Sequence, residues 1–178
     1  MRLVAVAQRI GIEHAGPNAA DVDAKSRFPS EAMAAIKKEK LLSALVPTAL
    51  GGMGCGMHEL AAICEALGEH CSAASMIFAM HQIQVACLVR HAQGSEYFRG
   101  YLRELADQQL LIASVTSEVG IGGDMRSSIS SVQIDGAKLV LNKDATTISY
   151  GEHADDLLVT TRRAADAPAS GLPNYQRR

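Results

Sequence analysis

The sequence has no long block of basic or acidic residues, and its formal net charge is only −2 over 178 residues. A general nucleic-acid-binding surface needs a strong positive patch, so this charge pattern argues against one. No internal repeat is found either. The length is enough for one ordinary domain, or for one domain plus part of another, with a sizeable core.

The sequence has four cysteines, and their spacing indicates neither disulfide bonds nor a metal site. Cys55, Cys64, Cys71 and Cys87 show neither CxxC spacing nor the density of a disulfide-rich secreted domain. We therefore expect free thiols in a reducing compartment. No histidine pair at i, i+4 and no paired-cysteine knuckle occurs, so no metal site is predicted.

Long uninterrupted apolar tracts are also missing. The N-terminal apolar stretch is broken by Gln8 and Arg9, too soon for a secretory signal, so a cytoplasmic protein is expected. The longest apolar tract, residues 73–89, contains one histidine and two glutamines near its middle. Such side chains are unfavourable in hydrocarbon but common inside a helical bundle, so no membrane span is predicted.

Helical periodicity dominates the chain up to about residue 106. Helices are expected over residues 3–13, 30–44 and 95–106. An apolar stripe from Leu60 to Leu67 predicts a helix that stops near Gly68, and a longer helix is expected from Ser72 through Leu88. Residues 15–29 are rich in small and polar side chains and are predicted to be a connection. Four glycines between Pro47 and Met57 indicate a loop in which the backbone makes a close approach or takes a conformation closed to other residues.

The pattern changes to strands and turns between residues 110 and 161. The segments LLIASVT, KLVLN and DDLLVTTR read as strands, TTIS as a further extended piece, and SSVQID precedes Asp135-Gly136, a strong hairpin signal. Antiparallel pairing is expected. The prediction is thus an α+β chain with an all-α bundle at residues 1–107, a β-domain at 108–163 and a disordered tail at 164–178.

The segment ASVTSEVGIGGDMRSS carries the most chemistry, because a strand runs into a glycine-rich loop with hydroxyls and unshielded amides. Such a loop suits phosphates or the polar edge of a planar cofactor, since glycine removes the steric barrier to close contact. A short glycine motif alone is more often a flexible turn than a binding loop, so both interpretations stay open on the motif alone.

Three segments occur in the order seen in acyl-CoA dehydrogenases: LGGMGCG, VTSEVGIGGD and ISYGEHADDLLVTTR. In that family the loop reads approximately TEPxAGSD, and the later segment reads WITN, a small residue and ADxxLVxAR. The chain therefore resembles this family over most of its length. The resemblance implies an N-terminal helical domain, a middle antiparallel β-barrel domain and a C-terminal four-helix domain, with FAD between the last two. This chain would hold the first domain and part of the second.

The resemblance also implies a set of cofactor-binding residues. Thr116 matches the threonine whose hydroxyl and amide meet the flavin ring, Ser149 matches the threonine of WITN, and Thr147 takes the place of its tryptophan. The loop is one residue longer than TEPxAGSD, with Ser117 and Glu118 near its Glu-Pro positions. The cofactor-binding set so implied is Val115, Thr116, Gly122, Gly123, Asp124 and Ser149.

The family oxidises an acyl-CoA to the 2,3-enoyl-CoA with FAD, passes electrons to an electron-transfer flavoprotein, and commonly forms homo-oligomers. Its base is a glutamate of the C-terminal domain, which this chain does not match. Glu118, Glu152 and Asp124 are therefore expected to be surface or loop-capping residues, and no catalytic residue is predicted. His81 and Gln84 are expected to be hydrogen-bonded core or interface groups, with a place along the family's substrate channel as the alternative. The alternative function is a catalytically inactive fragment or a helical interaction module.

Overall fold

The computed structural model describes residues 2–91, 94–124 and 127–168. The chain divides into two compact units, a helical unit at Met1–Leu111 and a β unit at Ile112–Arg178. A helical N-terminal domain followed by a small β region confirms the predicted fold class, although no closed barrel is present in the described residues. Of the disordered tail predicted at residues 164–178, residues 169–178 lie outside the described residues.

The N-terminal segment is helical over a longer stretch than predicted. Helix α1 (Arg2–Ile10) continues through a π-helical turn (Gly11–Ala15) into α2 (Gly16–Ala24). The expected connection at residues 15–29 is therefore wrong over most of its length. Pro17 lies in the first turn of α2, directly after the π-helical turn.

Helix α3 (Ser30–Lys38) ends before the predicted residue 44, because Lys40 adopts a left-handed conformation with a φ of 59°. A 3-10 turn (Leu41–Ser43) follows, and then the glycine-rich loop, which contains a second 3-10 turn (Thr48–Leu50). A Cβ on Gly52 would overlap the main chain of Val46. The close approach predicted for this loop is therefore made by its own backbone.

Helices α4 (Met57–Gly68), α5 (Ser72–His91) and α6 (Glu96–Gln108) complete the helical unit. The α5 helix is central, with Phe78 and Leu88 fully buried. By length and composition alone α5 is apolar enough to cross a membrane, but the core helix of a bundle passes the same test. Its packing against α4 and α6 favours the second interpretation.

The polar residues of α5 satisfy backbone groups of the turn after α3. The Nε2 atom of His81 lies 2.8 Å from the carbonyl oxygen of Leu42. The amide nitrogen of Gln82 donates to the carbonyl oxygens of Leu41 and Leu42, both at 3.0 Å. Because both side chains are fully buried, these bonds offset their desolvation. The prediction that His81 is a hydrogen-bonded core group is confirmed.

The β unit contains strands β1 (Ile112–Val115), β2 (Val132–Asp135), β3 (Lys138–Leu141) and β4 (Asp156–Val159). The β2–β3 hairpin is antiparallel and turns at Asp135-Gly136, as predicted. By contrast, β1 and β4 pair in parallel, so the antiparallel expectation is wrong for this pair. The long connection between these two strands provides the crossover that parallel pairing needs. The TTIS segment is irregular rather than a strand.

Candidate functional site

The first wall of the candidate site is the end of β1. Val115 is the last residue of this strand and is buried, with its carbonyl oxygen accepting from the N–H of Thr160 at 3.1 Å. Thr116 follows directly and is half-buried. Its hydroxyl has no hydrogen-bond partner among the described residues. The threonine that follows this buried strand thus has a hydroxyl that the described residues leave unoccupied.

The glycine-rich loop leaves β1 in a conformation that needs glycine. Gly120, Gly122 and Gly123 have φ angles of 94°, 61° and 86°, in the left-handed region that other residues rarely adopt. No heavy atom lies within 4 Å of a Cβ built on Gly122 or Gly123. The open space beside these two residues leaves room for close approach of a ligand to the backbone.

Glu118 is the buried anchor of this loop. Its carboxylate accepts from the hydroxyl of Ser128 at 2.8 Å, from the N–H of Ser130 at 2.8 Å and of Ile129 at 3.3 Å, and from the Ser130 hydroxyl. The Nζ atom of Lys143 lies 2.8 Å away, and both side chains of this ion pair are almost completely buried. The loop-capping role expected for Glu118 is confirmed.

The ionisation of Glu118 follows from these contacts. Burial opposes the charged form, but the hydrogen bonds from Lys143, Ser130 and Ser128 outweigh it and lower the pKa of Glu118 to about 2. The carboxylate is therefore ionised at neutral pH and fully occupied by donors. Such a group is a poor acceptor for a substrate proton, because both its low pKa and its hydrogen bonds oppose protonation.

The second wall comes from the segment after β3, which the structure places against the end of β1. The hydroxyl of Ser117 donates to the carbonyl oxygen of Thr147 at 2.7 Å, and the N–H of Thr147 lies 3.4 Å from the same hydroxyl oxygen. Ser149 lies two residues further on and is half-buried, with no hydrogen-bond partner among the described residues. The two sequence motifs that carry Thr116 and Ser149 thus meet in the folded chain.

The remaining predicted residues are placed differently. Asp124 is exposed, and its carboxylate accepts from the Ser127 hydroxyl at 2.7 Å, so part of its capacity is used within the loop. Thr147, where the family has an aromatic side chain, is exposed and presents no ring to a cofactor. Glu152 is also exposed, on a 3-10 turn (Gly151–His153).

Sequence reasoning missed two residues of this region, Lys143, the ion-pair partner of Glu118, and Tyr150. The phenol hydroxyl of Tyr150, next to Ser149, donates to the carbonyl oxygen of Ile112 at 3.0 Å. Burial raises the pKa of the Tyr150 phenol well above its usual range. No local pattern signals this bond, because its partner lies 38 residues away along the chain.

Other chemistry has little support in the described residues. No group of three or more His, Cys, Asp and Glu side chains could hold a metal ion among the residues that the structure describes. The four cysteines are free thiols. Burial and the neighbouring Glu59 raise the pKa of Cys55 to about 11, and burial also raises the pKa of Cys64. Neither thiol is therefore activated as a nucleophile.

Comparisons with known proteins support the resemblance to acyl-CoA dehydrogenases. Cyclohex-1-ene-1-carbonyl-CoA dehydrogenase from Geobacter metallireducens is 30% identical over 160 residues, covering 89% of this chain and 42% of the relative. The probable acyl-CoA dehydrogenase fadE25 from Mycobacterium leprae is 28% identical, with 89% of this chain and 41% of the relative covered. The chain spans about two fifths of the length of these curated relatives.

The fold is shared with solved flavoenzyme structures. FMN-bound TdsC from Paenibacillus sp. A11-2 superimposes with a TM-score of 0.81 at 16% identity, covering 93% of this chain and 41% of that one. The sequence model of the acyl-CoA dehydrogenase N-terminal domain matches residues 2–109, which is more than half of the chain. The chain therefore belongs to the acyl-CoA dehydrogenase family.

Proposed function

We propose that this chain is the front part of an FAD-dependent acyl-CoA dehydrogenase, and that the complete protein oxidises an acyl-CoA thioester to the 2,3-enoyl-CoA. The observation that carries the proposal is the hydrogen bond between Ser117 and Thr147, which joins the two predicted cofactor segments. Support also comes from the family match over residues 2–109.

The residues present fit a flavin at their polar positions. The hydroxyls of Thr116 and Ser149 are free to donate hydrogen bonds to its polar edge, and the amides at Gly122 and Gly123 are open to approach. Val115 and Asp124 complete the proposed set. When bound, the flavin would supply the acceptor for the β-hydride of the thioester. Thr147 provides no aromatic surface on which the flavin ring could stack, so the hydroxyls and main-chain amides must contribute a larger share of the binding free energy.

The α-proton needs a carboxylate acceptor, and the buried carboxylate beside this site, Glu118, is unsuited to that role. Glu118 is held by Lys143 and by Ser130, and its pKa of about 2 makes it too weak a base. We therefore propose that the base comes from the part of the family fold that this chain does not span. The 178-residue chain should then be catalytically inactive by itself.

The substrate class follows from the family and not from the described site. The Geobacter relative is named for cyclohex-1-ene-1-carbonyl-CoA, and the mycobacterial relative for acyl-CoA in general. We propose an acyl-CoA substrate, an electron-transfer flavoprotein as the electron acceptor and a homo-oligomeric complete protein.

A second candidate is a helical interaction module that keeps the fold without the chemistry. Two observations favour it: Thr147 stands where the family has an aromatic ring, and Glu118 is locked in a structural ion pair. Flavin binding separates the two candidates, because an interaction module has no need of free hydroxyls at positions 116 and 149.

The test is a titration of the purified chain with FAD, followed by flavin fluorescence. Thr116→Val and Ser149→Ala should each weaken binding by roughly 1 to 3 kcal/mol, because a buried partner loses a hydrogen bond. Thr48→Val is the matched control, since Thr48 is exposed in the helical unit and should bind FAD like the unchanged chain. Equal affinity for all variants, or no binding by the unchanged chain, would refute the proposed site.

A further inference from the structure

The turn that carries Ser149 has an unusual backbone. Tyr150 adopts a φ of 46° and a ψ of 21°, in the left-handed region that is unfavourable for a residue with a bulky side chain. The N–H of Gly151 donates to the carbonyl oxygen of Ile148 at 3.2 Å, which closes the turn. A strained residue of this kind persists only where surrounding contacts hold it in place.

The contact that holds Tyr150 is its phenol hydroxyl. This group donates to the carbonyl oxygen of Ile112, the first residue of β1, at 3.0 Å. At the other end of the segment formed by residues 112–117, the hydroxyl of Ser117 donates to the carbonyl oxygen of Thr147 at 2.7 Å. The turn is therefore tied to the β1 segment at two points, one before and one after Thr116.

These two ties bracket both proposed hydroxyl donors. Ser149 lies between Thr147 and Tyr150, while Thr116 lies between Ile112 and Ser117. Removing the tie at Tyr150 leaves the bond between Ser117 and Thr147 on one side of Ser149 only, so the Ser149 end of the turn gains freedom to move. The separation of the two donor hydroxyls would then vary, and hydrogen bonds made to one rigid ring at the same time depend on a fixed separation.

The geometry points to Tyr150 as a positioning residue, whose hydrogen bond to Ile112 sets the hydroxyl of Ser149 relative to that of Thr116 for flavin binding. This inference rests on the proposed function. It adds to that proposal a residue that does not itself contact the cofactor. The phenol of Tyr150 reaches Ile112 from this left-handed backbone conformation.

The experiment compares FAD affinity and thermal stability for Tyr150→Phe, which removes only the hydroxyl. We expect FAD affinity to fall about three- to tenfold, as expected for the loss of one intramolecular hydrogen bond. Tyr97→Phe is the matched control, since Tyr97 is 64% exposed in the helical unit and its variant should keep the affinity of the unchanged chain. All titrations are made well below the melting temperatures, so only folded chain is compared.

A second variant separates positioning from stability. Tyr150→Asn places in the left-handed conformation a residue that tolerates it better, but removes the bond to Ile112. The inference expects this variant to lose FAD affinity even where its melting temperature equals or exceeds that of the unchanged chain. A purely structural role for Tyr150 would instead make affinity follow stability.

Amide hydrogen exchange gives a readout that does not depend on flavin. In Tyr150→Phe, the amides at residues 147–151 should exchange faster, with those of β4 unchanged. If the unchanged chain binds FAD and Tyr150→Phe binds it equally well, the inference is wrong and the proposed function stands. If the unchanged chain does not bind FAD, the proposed function and the inference resting on it both fail.

Discussion

Replacing Glu118 with glutamine should destabilise the β unit by about 3 kcal/mol at neutral pH. The hydrogen bonds and the Lys143 charge lower the pKa of Glu118 from its ordinary 4.5 to about 2, and one pKa unit corresponds to about 1.4 kcal/mol. Removing one partner of a buried ion pair costs about 3 to 5 kcal/mol, because the other charge is left uncompensated. The two routes give the same magnitude, and Lys143 is the charge that is left unpaired.

The pH dependence of the free energy of unfolding distinguishes the loss of an ionised carboxylate from a simple packing defect. Because the folded-state pKa of Glu118 lies below its unfolded value, the stabilisation is fully present above pH 4.5. It is lost as the pH falls through about 2. Glu118→Gln has no proton to bind in this range, so its free energy of unfolding should lack this contribution to the acid dependence.

The assay is urea unfolding at several pH values, followed by the NMR amide signals of β1 and β4. These signals report the β unit alone, whereas a whole-chain signal mixes the unfolding of both units. Glu152→Gln is the matched control, because Glu152 is an exposed carboxylate of the same unit and its loss should change stability by less than about 0.5 kcal/mol. If Glu118→Gln behaves like Glu152→Gln, the buried pair does not stabilise this unit as argued.

Three further predictions concern activity, packing and association. The chain alone, with excess FAD and a panel of acyl-CoAs under anaerobic conditions, should bleach the flavin at least about 10²-fold more slowly than a complete relative, because we propose that the base lies in the part of the family fold that this chain does not span. Rapid bleaching that is abolished by Glu152→Gln would contradict this. Gly52→Ala should lower the stability of the helical unit by at least about 2 kcal/mol in thermal unfolding, since its Cβ overlaps Val46, whereas Gly56→Ala, with nothing within 4 Å, should be nearly neutral. Ile83 is 58% exposed on α5, so the chain should self-associate in sedimentation velocity. Ile83→Lys should reduce this self-association. Equal association of both forms would exclude the exposed face of α5 around Ile83 as the surface through which the copies associate.

The elements that the sequence predicts well are those whose signal is local. The stripe of apolar residues in α4, the long buried helix α5 and the hairpin at Asp135-Gly136 all depend on neighbours within a few positions along the chain. For such elements the periodicity of side chains is a direct consequence of helix or strand geometry. Their existence was therefore predictable, although their ends were not.

The elements that the sequence predicts poorly depend on context. Residues 15–29 look like a connection by composition, yet Pro17 lies in the first turn of α2 and the π-helical turn continues the helix into it. The parallel pairing of β1 with β4 joins segments about 44 residues apart, as in the pair Ile112 and Asp156. Strand composition carries no information about such partners, so the default antiparallel expectation was wrong there.

The candidate site shows the same limit at the level of single side chains. Thr116, Ser117 and Glu118 are three consecutive polar residues, and residue type alone makes each of them a reasonable ligand contact. Their partners in the fold distinguish them, because Ser117 is bound to Thr147 and Glu118 to Lys143. A hydroxyl or carboxylate already occupied by the protein must break a bond before it can bind a ligand, so its net gain is small. Of the three side chains, only that of Thr116 can bind flavin without such a loss.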